Sequence, residues 1–170
     1  MAGRIKEDEG LLQQALDHLA GTYRHMAQAI QEIGPPPPRH RPAGFATLMD
    51  VIIAQQVSTA SARAISGRLL ERLSKITPEG FIALTDADLR AVGFSRQKTA
   101  YGRDLAGAFL EGRISLPKLR RMEDEAAIET LSAVKGIGRW SAEVFLLFAL
   151  KRPDVMPAQD LALLVAAQRM

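Results

Sequence analysis

The stretch Leu131-Ser-Ala-Val-Lys-Gly-Ile-Gly-Arg-Trp-Ser-Ala142 restricts the fold of this chain more than any other. Two segments with helical spacing of apolar residues meet at Gly136-Ile137-Gly138, which leaves room only for a tight corner. Glycine reaches backbone angles closed to other residues, so the pair permits an abrupt reversal and a close approach from outside. Ile137 reads as a plug into the core that holds the corner shut. Backbone N–H groups at such a corner point outward, and the helix starting near Arg139 adds its positive end, an arrangement suited to a phosphate. Lys135 and Arg139 bring mobile positive charge to the same place. Spacing alone also accommodates an ordinary helix–turn–helix connection with two glycines.

The rest of the chain keeps the helical period. Leu12, Leu16, Leu19, Tyr23, Met26 and Ile30 recur at three- and four-residue steps, predicting a helix from Glu7 to about Ile33. Gly34 and the prolines 35–38 stop it, because proline lacks the N–H and fixes φ; with Arg39, His40 and Arg41 they read as a stiff connector. Phe45 to Val57 is predicted as an apolar helix, and Ser58 or Thr59 as the cap of one reaching about Leu73. Thr77-Pro78 and Thr85-Asp86 open short helices, with Gly93 ending the second. Ser95 caps a helix to about Leu110, and Pro117 starts a short turn. Glu123–Val134 and Trp140–Leu150 are the arms of the glycine corner, and Pro157 to Met170 begins a last helix. No segment alternates as a strand does, so the fold class is all-α. The expected organisation is an N-terminal helical segment over 1–34, a proline-rich connector over 35–43 and one domain over 44–170.

The absence of cysteine excludes a disulfide framework, a cysteine-bound iron–sulfur cluster, a thiolate zinc site and a thiol nucleophile. His18, His25 and His40 show no ligand spacing, so solvent-facing side chains and no metal site are expected. An apolar run as long as any in the chain, Val144 to Leu150, is far short of the roughly 20 residues of a membrane span. The mixed-charge N-terminus is unlike a secretory signal, and a cytoplasmic protein, nucleoid-associated in a bacterium, is the expectation. A net charge of +3 is compatible with nucleic acid as a partner without establishing it.

The corner, the apolar helix after it and Pro157-Ala-Gln-Asp160 together resemble the helix–hairpin–helix DNA glycosylases, whose signature is a hairpin, a Gly/Pro-rich loop and a catalytic aspartate. The resemblance covers about residues 44 to 170 and is nearest to the alkylation-repair branch, 3-methyladenine DNA glycosylase II. Trp140 stands where bifunctional relatives carry a lysine nucleophile, and their cluster cysteines are missing. The resemblance therefore implies a monofunctional base-excision enzyme. It would flip an alkylated purine out of double-stranded, damaged DNA, hydrolyse its N-glycosidic bond and leave the strand uncut. No cofactor is required on this reading, a monovalent cation at the hairpin backbone being the one ion it admits. It indicates no membrane partner and names no protein partner.

Residue by residue, the resemblance makes Asp160, 22 positions after Gly138, the catalytic carboxylate, facing the positive charge left on the sugar. An N-cap of the following helix is the alternative role. Gln56 matches a wedge that fills the gap left by the extruded base, and Gln55 a pocket-facing position; two solvent-facing glutamines ending a helix are the alternative. Trp140 resembles an aromatic wall for an electron-poor base. Its stripe with Val144 and Phe148 also fits core packing. Lys135, Gly136, Ile137, Gly138 and Arg139 form the DNA-binding hairpin. Gly93 to Lys98 matches a loop whose lysine, Lys98, lies near the DNA side, or else is a solvated helix start. Family members continue past the position of Met170 into helices that complete the cleft. The short C-terminus is thus expected to expose Leu161, Leu163, Leu164 and Val165, unless a second copy covers them. Two other functions fit the same residues: a non-catalytic helix–hairpin–helix DNA-binding module, and a helical interaction domain using the proline segment and apolar end.

Overall fold

The computed structural model describes residues 2–37 and 41–169. Among them are eleven helices and no strand. In chain order they are α1 (Ala2–Thr22), α2 (Arg24–Ile33), α3 (Phe45–Ala54), α4 (Thr59–Leu73), α5 (Pro78–Ala83), α6 (Asp86–Val92), α7 (Arg96–Leu110), α8 (Leu116–Leu119), α9 (Asp124–Ser132), α10 (Arg139–Phe148) and α11 (Leu161–Arg169). None is long and apolar enough to cross a membrane. The chain divides into two compact units, one from the described residues of 1–39 and 162–170, the other from those of 40–161. The sequence reading, by contrast, carries a single domain from 44 to 170.

In the first unit the expected single helix over 7–33 is broken. Tyr23 adopts extended angles (φ −124°, ψ 115°), and its carbonyl accepts from the N–H of Ala27 at 3.0 Å to begin α2. The apolar spacing continues across the break, so periodicity could not reveal it, whereas Gly21 and Thr22 are weak helix formers at that point. Gly34 ends α2 as expected. Pro38, Arg39 and His40 of the connector lie outside the described residues.

The second unit is organised around α3. Leu48, Met49, Ile52 and Ile53 have no exposed surface, and α4, α7 and α10 pack against this helix. Phe45, at the start of this helix, interlocks with Phe81 and Phe109, and Phe81 with Phe94, with ring centroids 5.5 to 6.3 Å apart. Short helices are set by side-chain caps: Ser58, Thr77, Thr85 and Ser95 each accept a backbone N–H at the start of α4, α5, α6 and α7. Each cap is worth on the order of 1 kcal/mol. Gly102 of α7 lies hard against α5, since a Cβ there would stand 2.5 Å from Cζ of Phe81.

Two boundaries differ from expectation. α3 stops at Ala54 rather than Val57, because Gln55 turns extended (ψ 130°) and Gln56 takes a left-handed φ of 56°, carrying the chain back for α4. The last helix starts at Leu161 rather than Pro157. Buried Val155 and Pro157 hold the preceding segment as a loop, closed by the Asp160 N–H on the Pro157 carbonyl at 2.9 Å.

The corner between α9 and α10 is fastened from below by α7. Ile137 is 3% exposed and joins the core, as the plug reading requires. Gly136 has φ 87°, and a Cβ on it would fall 2.3 Å from Cδ2 of Tyr101, so the ring fills the space a side chain would need. One turn along α7, the Asp104 carboxylate accepts the N–H of Lys135 at 2.8 Å. That hydrogen bond, with help from Arg113, holds the Asp104 carboxyl below its ordinary range.

Gly102→Ala is expected to lower stability by about 1–2 kcal/mol in urea unfolding, because overpacking against Phe81 outweighs the better helix propensity of alanine. Asp104→Asn is expected to cost roughly 1 kcal/mol at neutral pH by weakening its hold on Lys135. The pKa of Asp104 is depressed by folding, so its contribution is present above the unfolded carboxylate's value near 3.8 and vanishes as pH falls through the folded value. Unfolding of both proteins followed from neutral to strongly acid solution should show the gap closing.

Candidate functional site

The first turn of α10 carries the hairpin at one end and an aromatic side chain one residue further on. Its leading N–H groups have no intrahelical carbonyl to bind, which leaves donors and the positive helix end beside Gly138. The Lys135 N–H is committed to Asp104 and that of Ile137 to the Val134 carbonyl (3.1 Å), so the outward donors are fewer than a bare corner implies.

Trp140 is 43% exposed and stands clear of the core, unlike the packing stripe that its spacing with Val144 and Phe148 also allows. Its indole Nε1–H donates to Oδ2 of Asp160 at 2.8 Å. Asp160 is half-buried at the end of the loop that Val155 and Pro157 anchor. Two residues twenty apart in sequence, each singled out separately, are thus in direct contact.

Arg139 differs from the mobile charge expected. Its guanidinium forms a two-pronged pair with Glu125 (2.7 and 2.8 Å), and its Nε–H donates to the buried Glu143 at 2.9 Å. The carboxylate of Glu125 in turn keeps this guanidinium firmly protonated. A planar fork matched to a carboxylate favours this fixed geometry, and the pair ties α9 to α10 across the corner. Lys135 is exposed.

Gln55, Gln56 and Lys98 gather around the other side of the corner. The Gln55 amide donates to the Gly136 carbonyl at 2.6 Å, tying the end of α3 to the hairpin instead of standing free in a pocket. Lys98 Nζ donates to the Ile53 carbonyl at 2.6 Å, where a cation complements the C-terminal end of α3. Burial lowers the pKa of Lys98. Gln56 is exposed and holds the strained φ noted above, a conformation that costs on the order of 1 kcal/mol or more outside glycine. Gln55, Gln56, Ser95, Lys98 and Tyr101 border a cleft of about 330 Å³ whose wall also includes the apolar Ile65.

Among the described residues no group of three or more His, Cys, Asp or Glu is placed to hold a metal ion. His18 and His25 are exposed, and His40 lies outside the described residues. For the monovalent cation of the sequence reading, the available donors are hairpin carbonyls. These are neutral oxygens, the kind that suits a weakly held ion, and two of them already accept hydrogen bonds: that of Val134 from the Ile137 N–H and that of Gly136 from the Gln55 amide.

Tyr101, Asp104, Glu125 and Glu143 position the hairpin, yet none stands out in the sequence. The one available hint is Asp104, since aspartate is a poor interior helix residue and its place three positions after Tyr101 puts both on one face of α7.

Comparison with known proteins places this geometry in context. The model of the HhH-GPD superfamily base excision DNA repair protein matches residues 49–170. DNA-3-methyladenine glycosylase 1 of Schizosaccharomyces pombe is 31% identical over 169 residues, spanning 94% of this chain and 74% of that protein. The crystal structure of a DNA-3-methyladenine glycosidase from Bacillus halodurans superposes with a TM-score of 0.78 at 34% identity, covering 88% of this chain and 70% of the other. A 3-methyladenine DNA glycosylase of Schizosaccharomyces pombe, in complex with abasic DNA, gives a TM-score of 0.78 at 32% identity, covering 88% and 76%. On the family match and these likenesses, the chain belongs to the HhH-GPD superfamily of base excision DNA repair proteins.

Proposed function

We propose that this protein is a monofunctional DNA glycosylase that releases alkylated purines of the 3-methyladenine type from duplex DNA after base flipping, without cutting the strand. The observation that carries the reading is the contact between Trp140 and Asp160 beside the hairpin. One helical turn of α10 spans the step from a phosphate-facing corner to a carboxylate, a spacing suited to gripping the backbone and acting on a neighbouring nucleotide. The names and the abasic-DNA complex of the relatives support the same reading.

In this mechanism the hairpin over Lys135–Arg139 binds phosphates, and Gln56, exposed at a strained turn, enters the gap left by the flipped nucleotide. Gln55 ties the end of α3 to the corner and Lys98 ties it to α7, so their part is to set where Gln56 stands. The exposed ring of Trp140 offers a face to the base. When the C1′–N bond breaks, its electron pair leaves with the cationic base, which departs neutral, and positive charge develops on the sugar. The Asp160 carboxylate stabilises that charge and orients the water whose oxygen bonds to C1′ while its proton passes to the surrounding solvent, leaving an abasic site. Water is the nucleophile and no cofactor enters. A monovalent cation at the hairpin backbone, if bound, would be held by neutral carbonyl oxygens and would add positive charge there. A carboxylate in direct contact with an exposed aromatic ring favours this enzyme over a non-catalytic DNA-binding module.

Base release from methylated duplex DNA is the decisive measurement. The wild-type protein should free methylated purines, and Asp160→Asn should lower the rate by about 10²–10³-fold while duplex binding is retained. Equal release by both would remove Asp160 from the mechanism, and DNA binding with no release by the wild type would leave the binding-module function in place. For the grip, Lys135→Ala should weaken binding uniformly across sequences and reduce the salt slope by about one counterion, whereas Gly136→Ala should disrupt binding through the strained turn and Tyr101.

A further inference from the structure

We propose that Trp140 is a positioning residue of Asp160, acting through its indole N–H rather than only through its ring face. The inference rests on the reading of Asp160 as the catalytic carboxylate and assigns how that group is held. Nε1–H to Oδ2 at 2.8 Å is a donor-to-carboxylate hydrogen bond, among the stronger kinds a side chain makes. An indole donates and never accepts, so it fixes one carboxylate oxygen without exchanging protons with it.

The supports of the two partners differ. Asp160 belongs to the loop between α10 and α11, and loop backbone places a side chain less precisely than a helix does. Trp140 stands in the first turn of α10, whose orientation is locked on both sides. The Arg139 fork on Glu125 and Glu143 fixes one flank, while buried Ser141 and Ala142 fix the other. Trp140 is 43% exposed and stands outside the hydrophobic core, and its one polar side-chain atom is committed to Asp160. The rigid helix thereby lends its precision to a carboxylate on a less rigid segment. Charge stabilisation in the transition state depends on that precision, because a small displacement of the carboxylate forfeits much of the effect.

Trp140 is the only tryptophan, so the protein gives a single indole N–H resonance in a ¹H–¹⁵N spectrum. In the wild type that resonance should sit downfield and move clearly in Asp160→Ala; an unmoved resonance overturns the contact. Trp140→Phe keeps an aromatic face and removes the donor, at an exposed site where folding is not threatened. On methylated duplex DNA this variant should lose about tenfold or more in kcat with KM within about twofold of wild type. An unchanged kcat, or a loss confined to KM, overturns the positioning role and leaves Trp140 as a stacking wall. Absence of base release by the wild type overturns the glycosylase reading and the positioning role with it. That failure differs from the others in leaving the resonance shift of Asp160→Ala intact.

Discussion

Burial of α3 is the constraint on which the arrangement depends. Four of its side chains lie wholly out of water, at roughly 1.5–3 kcal/mol of transfer free energy each, and three other helices reach their places by packing on them. Its C-terminal end carries unsatisfied carbonyls, and the structure turns that necessity to use. Lys98 takes the Ile53 carbonyl, and Gln55 extends past the helix end to the hairpin. The corner is thus referenced to the centre of the core rather than suspended between its own two arms.

The hairpin has a second fastening through α7. Tyr101 fills the space under Gly136, Asp104 takes the Lys135 N–H, and Ile137 is buried. With these contacts made, the corner is braced from beneath by both α7 and the core. Arg139, which a count of positive charges assigns to that face, is instead spent on Glu125 and Glu143. Rigidity at α10 comes at the expense of mobile charge, and the rigid turn is what presents Trp140 to Asp160.

Much of this was legible from residue types. Ser58, Thr77, Thr85 and Ser95 announce their helices because a side-chain oxygen must satisfy an orphan N–H, a requirement local to three or four residues. The role of Ile137 could be read because an apolar residue between two glycines has no other reason to be there. The break at Tyr23 and the early end of α3 were not legible. Both occur inside unbroken apolar spacing, and period alone does not say where the backbone leaves helical angles.

The sequence by itself determined the helices, the sharp corner and the presence of a carboxylate after the next helix, since these follow from local propensity, capping and glycine geometry. It could not say which charges would be consumed by partners far along the chain. Only the tertiary structure decided that Arg139 is a clamp, that Gln55 and Lys98 brace α3, and that the Trp140 N–H meets Asp160. The reason is physical: a hydrogen bond or ion pair depends on distances of about 3 Å. Those distances are set by how helices pack, whereas spacing in sequence fixes only which face of one helix a side chain occupies.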